Sequence, residues 1–216
     1  MRLAAFALLA AIPAFPQVAL EANKGYRTEE GRARVAATLG AHDREARQKP
    51  RELIARLNLA PGMTVADIGT GVGFMLPYLA EAVGPAGKVI AEDIFADFLA
   101  KAKEHAAQKK LSNVTFIYGD ERSTKLPATS TDMALILDAY HHFDYPAEML
   151  ASIHAGLKPT GRLVIVDFYK RGFRDPAHIR LDDDAVAAEI QQHGFVLVDS
   201  KPFTENSQYM AVFRKK

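Results

Sequence analysis

One stretch, MTVADIGTGVGFMLPY at residues 63–78, restricts the fold more than any other. Residues 63–68 form an apolar run in which Val65, Ile68 and the small Ala66 suit a strand buried on both faces. Asp67 sits near the end of the run, and Gly69, Gly71 and Gly73 follow at alternate positions. Residues 74–83 then carry apolar side chains at helical spacing. A strand, a tight glycine turn and a helix make a nucleotide-site layout. Glycine suits such a turn because it accepts positive φ and lets a ligand approach the backbone with no Cβ in the way. A dinucleotide loop has the spacing G-x-G-x-x-G. Here the third glycine comes one residue early, at Gly73, and Phe74 fills the expected place. By itself the turn fits either a ligand loop or a plain strand-to-helix turn, so the rest of the chain has to decide.

A chain of 216 residues is long enough for one domain with a sizeable core. Its net charge of +1 gives no general attraction to nucleic acid or acidic membranes. The absence of cysteine excludes disulfides, thiolate metal sites, a cysteine nucleophile and a lipidated cysteine. The N-terminus differs in kind from the remainder of the chain. Arg2 precedes an apolar run over residues 3–12, which Pro13 and Pro16 then break. This resembles a secretory signal and is too short for a transmembrane helix. We therefore expect residues 1–22 to be a signal-like or membrane-associating leader, with cleavage after Ala14, Ala19 or Ala22 and a location in the cell envelope, exported or membrane-associated. The alternative is an amphiphilic or buried N-terminal helix on a cytoplasmic protein.

Residues 21–48 are polar, with Tyr26, Val35 and Leu39 as scattered apolar points, and predict one or two helices. Pro50 suits the first turn of a further helix over 51–59. Together these form a helical cap, about 23–59, on a single domain of residues 23–216. Beyond the glycine loop the pattern predicts strands at 88–94, 113–118, 132–137 and 162–168, with helices at 95–108 and 147–157. The alternation implies a parallel sheet covered on both faces. The last third changes. A helix over 182–193 has an acidic first turn and stops at Gly194. Strands at 195–200 and 208–213 follow with no helix between them, so they pair antiparallel. The expected fold is a three-layer α/β Rossmann-like sandwich with a seven-stranded, mostly parallel sheet and a C-terminal antiparallel strand pair.

Several separate positions now agree: the glycine turn after strand one, Asp93 at the end of strand two, Gly119-Asp120 at the end of strand three, LKPTGRLVIVDF at 157–168 leading into strand five, and the terminal strand pair. Together they resemble a class I S-adenosylmethionine-dependent methyltransferase over about residues 47–213. Within that class, Gln48-Lys49-Pro50 and Tyr140-His141-His142 are similar to a bacterial group that often carries signal-like leaders. The resemblance implies the cofactor S-adenosyl-L-methionine and methyl transfer (EC 2.1.1.-) to a small-molecule acceptor. It implies that Gly69, Thr70, Gly71 and Gly73 lie against the methionine portion. Asp67 either meets its ammonium or shapes the loop by an internal hydrogen bond. Asp93 accepts from the ribose hydroxyls, and Glu92 should point to the opposite side of the strand. Asp120, flanked by Gly119 and Glu121, accepts the adenine amino group, with Ile94 in apolar contact with the ring. Asp138 and Tyr140 complete the cofactor pocket. An arsenite methyltransferase is disfavoured, because that family holds its substrate with cysteines.

Methyl transfer from a sulfonium is an in-line displacement in which the protein contributes alignment and electrostatics. A base is needed only if the acceptor must lose a proton. His141 and His142 are the available bases, against a structural reading of one as a loop cap and the other as half-buried. Gln48, Tyr169 and Tyr209 are expected to border the acceptor. Asp138 and Asp167 end adjacent strands, but oxygen-ligand sites need more donors than are evident, so no metal is expected. Nucleic acid is not an expected partner, and nothing in the sequence fixes an oligomeric state. Two rivals stand: an NAD-dependent oxidoreductase, and a non-catalytic binding protein retaining the methyltransferase fold.

Overall fold

In the computed structural model, which describes residues 17–205 and 207–216, the apolar run forms β1, Thr64–Ile68, near the middle of a seven-stranded sheet. The others are β2 (Lys88–Asp93), β3 (Val114–Tyr118), β4 (Thr131–Leu137), β5 (Leu157–Phe168), β6 (Phe195–Thr204) and β7 (Gln208–Lys215). Their order is β3-β2-β1-β4-β5-β7-β6. The first five run parallel, and β7 lies antiparallel between β5 and β6. This is the expected fold class. The chain builds outward from β1 in one direction and from β4 in the other, so the loops after β1 and β4 diverge. Such a switch point opens a crevice at the carboxyl edge of the sheet.

Alternation along the strands fills two cores. Val65 on β1 packs in one, with Val89, Met133 and Leu135, under α3 (Pro50–Leu57), α4 (Leu76–Val83) and α5 (Ala96–Gln108). Ala66 and Ile68 pack in the other, with Ile136 and Ile165, under α6 (Pro146–Gly156) and α7 (Asp183–Gln192). Both faces are apolar, as a covered parallel sheet requires.

The cap is a 3-10 turn, Ala22–Tyr26, then α1 (Glu29–Leu39) and α2 (Arg44–Gln48). Thr28 caps α1 by accepting from the Gly31 N–H at 3.0 Å. The cap is tied to the sheet layer by side chains. Arg32 Nε donates to Asp97 Oδ2 at 2.7 Å, and Asn23 Nδ2 donates to Asp144 Oδ2 and to the His142 carbonyl, both at 3.0 Å. Of the expected leader, residues 1–16 lie outside the described residues. Ala19, within the remainder, donates its N–H to Asp144 Oδ1 at 3.2 Å. No helix among the described residues is long and apolar enough to cross a membrane.

Three boundaries differ from the sequence pattern. β5 starts at Leu157, because Leu157 already pairs with Thr131 ahead of an irregularity. β6 continues to Thr204 through Pro202, which an edge strand tolerates with a register shift. The helix after the glycine turn starts at Leu76, not at 74, because Gly73 (φ 83°) still belongs to the turn. A Cβ at Gly73 would stand 2.8 Å from Leu76 Cδ1 and 3.1 Å from Ala102 Cα. Gly73→Ala should therefore cost about 1–3 kcal/mol, combining strain at positive φ with overpacking against α5. Thermal or urea denaturation measures it, and unchanged stability would show that the α4–α5 contact is slack.

Candidate active site

The crevice beyond β1 is built around Asp93, the last residue of β2. Its Oδ2 accepts from the Gly71 N–H at 2.8 Å and its Oδ1 from the Phe95 N–H at 2.9 Å, so one carboxylate holds the glycine loop to the start of α5. The Thr70 N–H donates to the Glu92 carbonyl at 2.9 Å, and the Thr70 hydroxyl donates to Asp67 Oδ2 at 2.6 Å. Gly69 and Gly71 adopt φ 69° and 58°. A Cβ on Gly69 would meet Ala139 Cβ at 2.8 Å, so only glycine lets the loops after β1 and β4 come this close.

Burial dominates the electrostatics. It pushes Asp93 up to about 6 against the opposing pull of the Phe95 and Gly71 amides. It pushes Asp67 to about 6 as well, against the Thr70 hydroxyl and Arg44. Glu92 is driven well above the ordinary carboxylate range by burial and by the charge of Asp93. Glu92 Oε2 accepts from the Gly69 N–H at 3.4 Å, while its Oε1 is buried with no hydrogen-bond partner among the described residues.

These residues floor a cavity of about 350 Å³. Ile94, Phe95, Phe98 and Met149 give it an apolar wall, and Tyr26, Asn23 and Arg44 from the cap close the far side. Tyr26 stacks on Phe95 with ring centroids 5.7 Å apart. Burial, with Asp93 nearby, raises the Tyr26 phenol far above its usual value, so it keeps its proton. Its hydroxyl lies 3.3 Å from His142 Nε2.

The donor set fits an adenosyl group. Asp93 keeps lone pairs beyond the two backbone bonds, enough for the vicinal hydroxyls of a ribose. Glu92 beside it, driven toward its protonated form by burial, has one oxygen, Oε1, without a partner among the described residues where it lies against Gly119. The bare backbone of Gly69–Gly71 and the aromatic wall supply close approach and an apolar face.

Residues 59–215 match the family model described as a methyltransferase domain. The chain belongs to that family. A SAM-dependent methyltransferase from Aquifex aeolicus superposes with a TM-score of 0.78 at 25% identity, over 82% of this chain and 95% of that one. Among curated relatives, an arsenite methyltransferase from Halobacterium salinarum is 25% identical over 71% of this chain and 42% of its own length. A ubiquinone/menaquinone biosynthesis C-methyltransferase from Ectopseudomonas mendocina is 31% identical over 52% of this chain and 44% of its own. The match thus spans less than half the length of either relative. The fold and the cofactor are those of the class I S-adenosylmethionine-dependent methyltransferases.

Of the residues singled out from the sequence of this methyltransferase, Gly69, Thr70, Gly71, Asp93, Ile94, Glu121, Asp138 and His142 line the cavity. The others differ from expectation in place or role. Gly73 packs between helices, against Leu76 and Ala102. Asp67 takes the loop-shaping role through Thr70. Glu92 lines the cavity with Asp93 instead of facing away, because the strand ends there and alternation no longer separates the two. Asp120 is exposed and turns back on its own loop. It accepts from the Arg122 N–H at 2.9 Å, lies 3.3 Å from Lys125 Nζ, and these contacts lower its pKa. Gly119 serves Glu92, whose Oε1 occupies the space a Cβ would need.

Tyr140 is buried, and its hydroxyl donates to Glu189 Oε1 at 2.6 Å, away from the cavity. Tyr169 and Tyr209, expected at the acceptor, pack on each other in the α6–α7 core with centroids 5.4 Å apart. Gln48 is locked into a buried network. It donates to Asp138 Oδ2, and Gln208 Nε2 donates to Gln48 Oε1 at 3.0 Å and to Asp138 Oδ1 at 2.6 Å. Burial and the nearby Asp167 push Asp138 to about 6. His141 is buried against Asp167, 2.6 Å from Nδ1 to Oδ1, and stands behind His142. Asn23, Arg44 and Gln208 carried no sequence signal, since isolated polar residues in a polar stretch or at a strand end reveal no period.

Only an ionised Asp93 accepts from two hydroxyls. With its pKa at about 6, the affinity for S-adenosylhomocysteine should be flat in mildly alkaline buffer and fall on acidification through that value, approaching about tenfold per pH unit. Asp67 and Glu92 also titrate above the usual range, so the comparison with Asp93→Asn isolates Asp93. That variant should bind about tenfold or more weakly at alkaline pH, on the scale of about 1.5–3 kcal/mol for charged hydrogen bonds, and with a flatter pH profile. Calorimetry decides, and identical profiles would remove Asp93 from the ribose contact.

Proposed function

We propose that this methyltransferase methylates a small organic molecule held between the cap and the cofactor. The observation that carries the reading is the far wall of the cavity. Asn23, Tyr26 and His142 face the same space as Asp93 and the glycine loop. The cofactor and the acceptor share this one cavity of about 350 Å³, near the lower end of the range of small-ligand pockets, about 300–1,000 Å³, which restricts the acceptor to a small molecule.

When bound, the cofactor supplies the activated methyl carbon; orientation and proton handling fall to the chain. His142 is prepared for this. Burial, then the neighbouring His141 and His178, hold its pKa well below the usual histidine value, so the ring is neutral at pH 7. The amide nitrogen of Asn23 is committed to Asp144 and to the His142 carbonyl, which turns its Oδ1 toward His142 Nδ1 at 2.9 Å. Nδ1 therefore carries the proton, and Nε2 presents a lone pair to the Tyr26 hydroxyl. An acceptor bearing an O–H, N–H or S–H group takes the place of that hydroxyl and is oriented, and where needed deprotonated, by Nε2. His141 acts from behind as a positioning residue, fixed by Asp167.

The relatives named for arsenite and for C-methylation in quinone biosynthesis mark two acceptor classes. With no cysteine in the chain, thiolate capture of arsenic has no ligand here, which favours an organic acceptor.

The test is transfer of labelled methyl from the cofactor to a panel of phenols, quinols, amines and thiols. His142→Gln should lower kcat on the active acceptor by about 100-fold to 10,000-fold, the span of general-base effects, and leave S-adenosylhomocysteine affinity within a few-fold. Cofactor binding without labelling of any panel member, or full turnover by the variant, would refute the reading.

A further inference from the structure

Beside the cavity, His141, His142 and His178 bring one ligand nitrogen each within 4.8 Å of one another. Their rings lie with centroids 4.1, 5.1 and 5.2 Å apart. Sequence alone does not suggest this group, because His178 comes from a 3-10 turn, Pro176–His178, between β5 and α7.

The surroundings of each ring are as informative as the grouping. His141 Nδ1 is engaged by Asp167 Oδ1 at 2.6 Å, so its Nε2 faces the group. His142 Nδ1–H is engaged by Asn23 Oδ1 at 2.9 Å, which leaves Nε2 with the lone pair; that lone pair accepts from the Tyr26 hydroxyl at 3.3 Å, a contact an ion would replace. His178 lies face to face on Phe173, with centroids 4.7 Å apart and planes at 4°, a contact that occupies neither of its nitrogens. Metal-bound histidines characteristically donate their second nitrogen to a carboxylate or carbonyl oxygen, which fixes the tautomer and the ring orientation. Two of these three rings show that arrangement.

We propose that His141, His142 and His178 form a binding site for a divalent first-row transition ion of the zinc class. Three imidazole ligands suit zinc, cobalt or nickel and do not suit magnesium or calcium. Three protein ligands leave the fourth tetrahedral position open, as catalytic zinc sites do. That position lies on the cavity side, since His142 is the member of the trio that lines the cavity. Tetrahedral bonds of ~2.0–2.1 Å hold nitrogens ~3.3 Å apart, so rotations that shift ring atoms by ~1 Å close the group around an ion. The carboxylates weighed from the sequence as oxygen donors are engaged elsewhere, Asp138 by Gln48 and Gln208 and Asp167 by His141.

Binding of the ion stands on the histidines alone. Its use in holding the acceptor rests on methyl transfer as the proposed function but replaces the role of His142 there: with the ion in place, Nε2 is a ligand and no longer a base, and the acceptor's heteroatom is oriented by the ion at the fourth position.

The experiment uses the full chain without a polyhistidine tag, stripped by chelation and titrated with cobalt(II). One equivalent should give the visible absorption of a tetrahedral cobalt site, and zinc should displace it at one ion per chain. His178→Ala, in a loop, should weaken cobalt binding about 100-fold or more, judged against the 10–100-fold that even outer-shell changes cause. Asp167 also accepts from the His141 and Phe168 backbone, so His178→Ala is the decisive variant. Absence of a cobalt spectrum in the parent at millimolar metal, or equal binding by the variant, overturns the site. S-adenosylhomocysteine binding on the same samples separates the two readings. Cofactor binding without cobalt binding defeats the metal site and leaves methyl transfer standing, whereas cobalt binding without cofactor binding does the reverse.

Discussion

The Asp93 carboxylate clasping the Gly71 amide is the contact on which the site depends. It joins the end of β2 to the turn after β1, two elements that parallel pairing brings side by side. Without an acceptor there, the turn would bury donors that nothing else satisfies. The glycines make the contact possible, because the turn runs through positive φ and presses its backbone against Ala139. The cost is visible in the charges: Asp67, Glu92 and Asp93 crowd one buried corner, and burial raises all three. A site that strains its own acids in this way is ready for a ligand that donates hydrogen bonds.

A second polar device holds the other side. Gln48 from the cap, Asp138 from the end of β4 and Gln208 from β7 share hydrogen bonds in the interior. Asp138 adopts φ 54°, a conformation non-glycine residues rarely take and one that persists only where neighbours over-determine it. Such a network is rigid when every member is satisfied. It ties α2 of the cap to the sheet, and Tyr26 and Arg44 of the same cap lie over the cavity. The histidines behind it belong to a third element, the turn Tyr140–His142, whose direction Asp167 and Asn23 fix from opposite sides.

Much of this architecture was legible beforehand, and for a definite reason. The strand at 64–68, the turn and the following helix announce themselves by local period and by glycine, both of which act over a few residues. The same holds for the terminal strand pair, where no helical pattern separates β6 from β7. Asp93 and the Gly69–Gly71 loop followed from their place at strand ends. What misled was the assumption that motif neighbours share a role. Gly73 packs helices, Asp120 closes its own turn, and Tyr140 reaches Glu189 on α7. Tyr169 and Tyr209 were misplaced because an aromatic near a strand's carboxyl end can turn into the core as readily as into a crevice.

Sequence by itself thus determined the order of strands and helices, the two-faced core and the glycine corner at the carboxyl edge of the sheet, since hydrophobic period and glycine freedom are properties of short segments. Tertiary structure alone decided which polar side chains meet. Gln48 and Gln208 stand 160 residues apart, Asn23 and His142 119 apart, and their contacts exist only once the cap has docked on a finished sheet. A buried hydrogen bond is selected by the geometry of everything around it. No pattern within a short stretch carries that information.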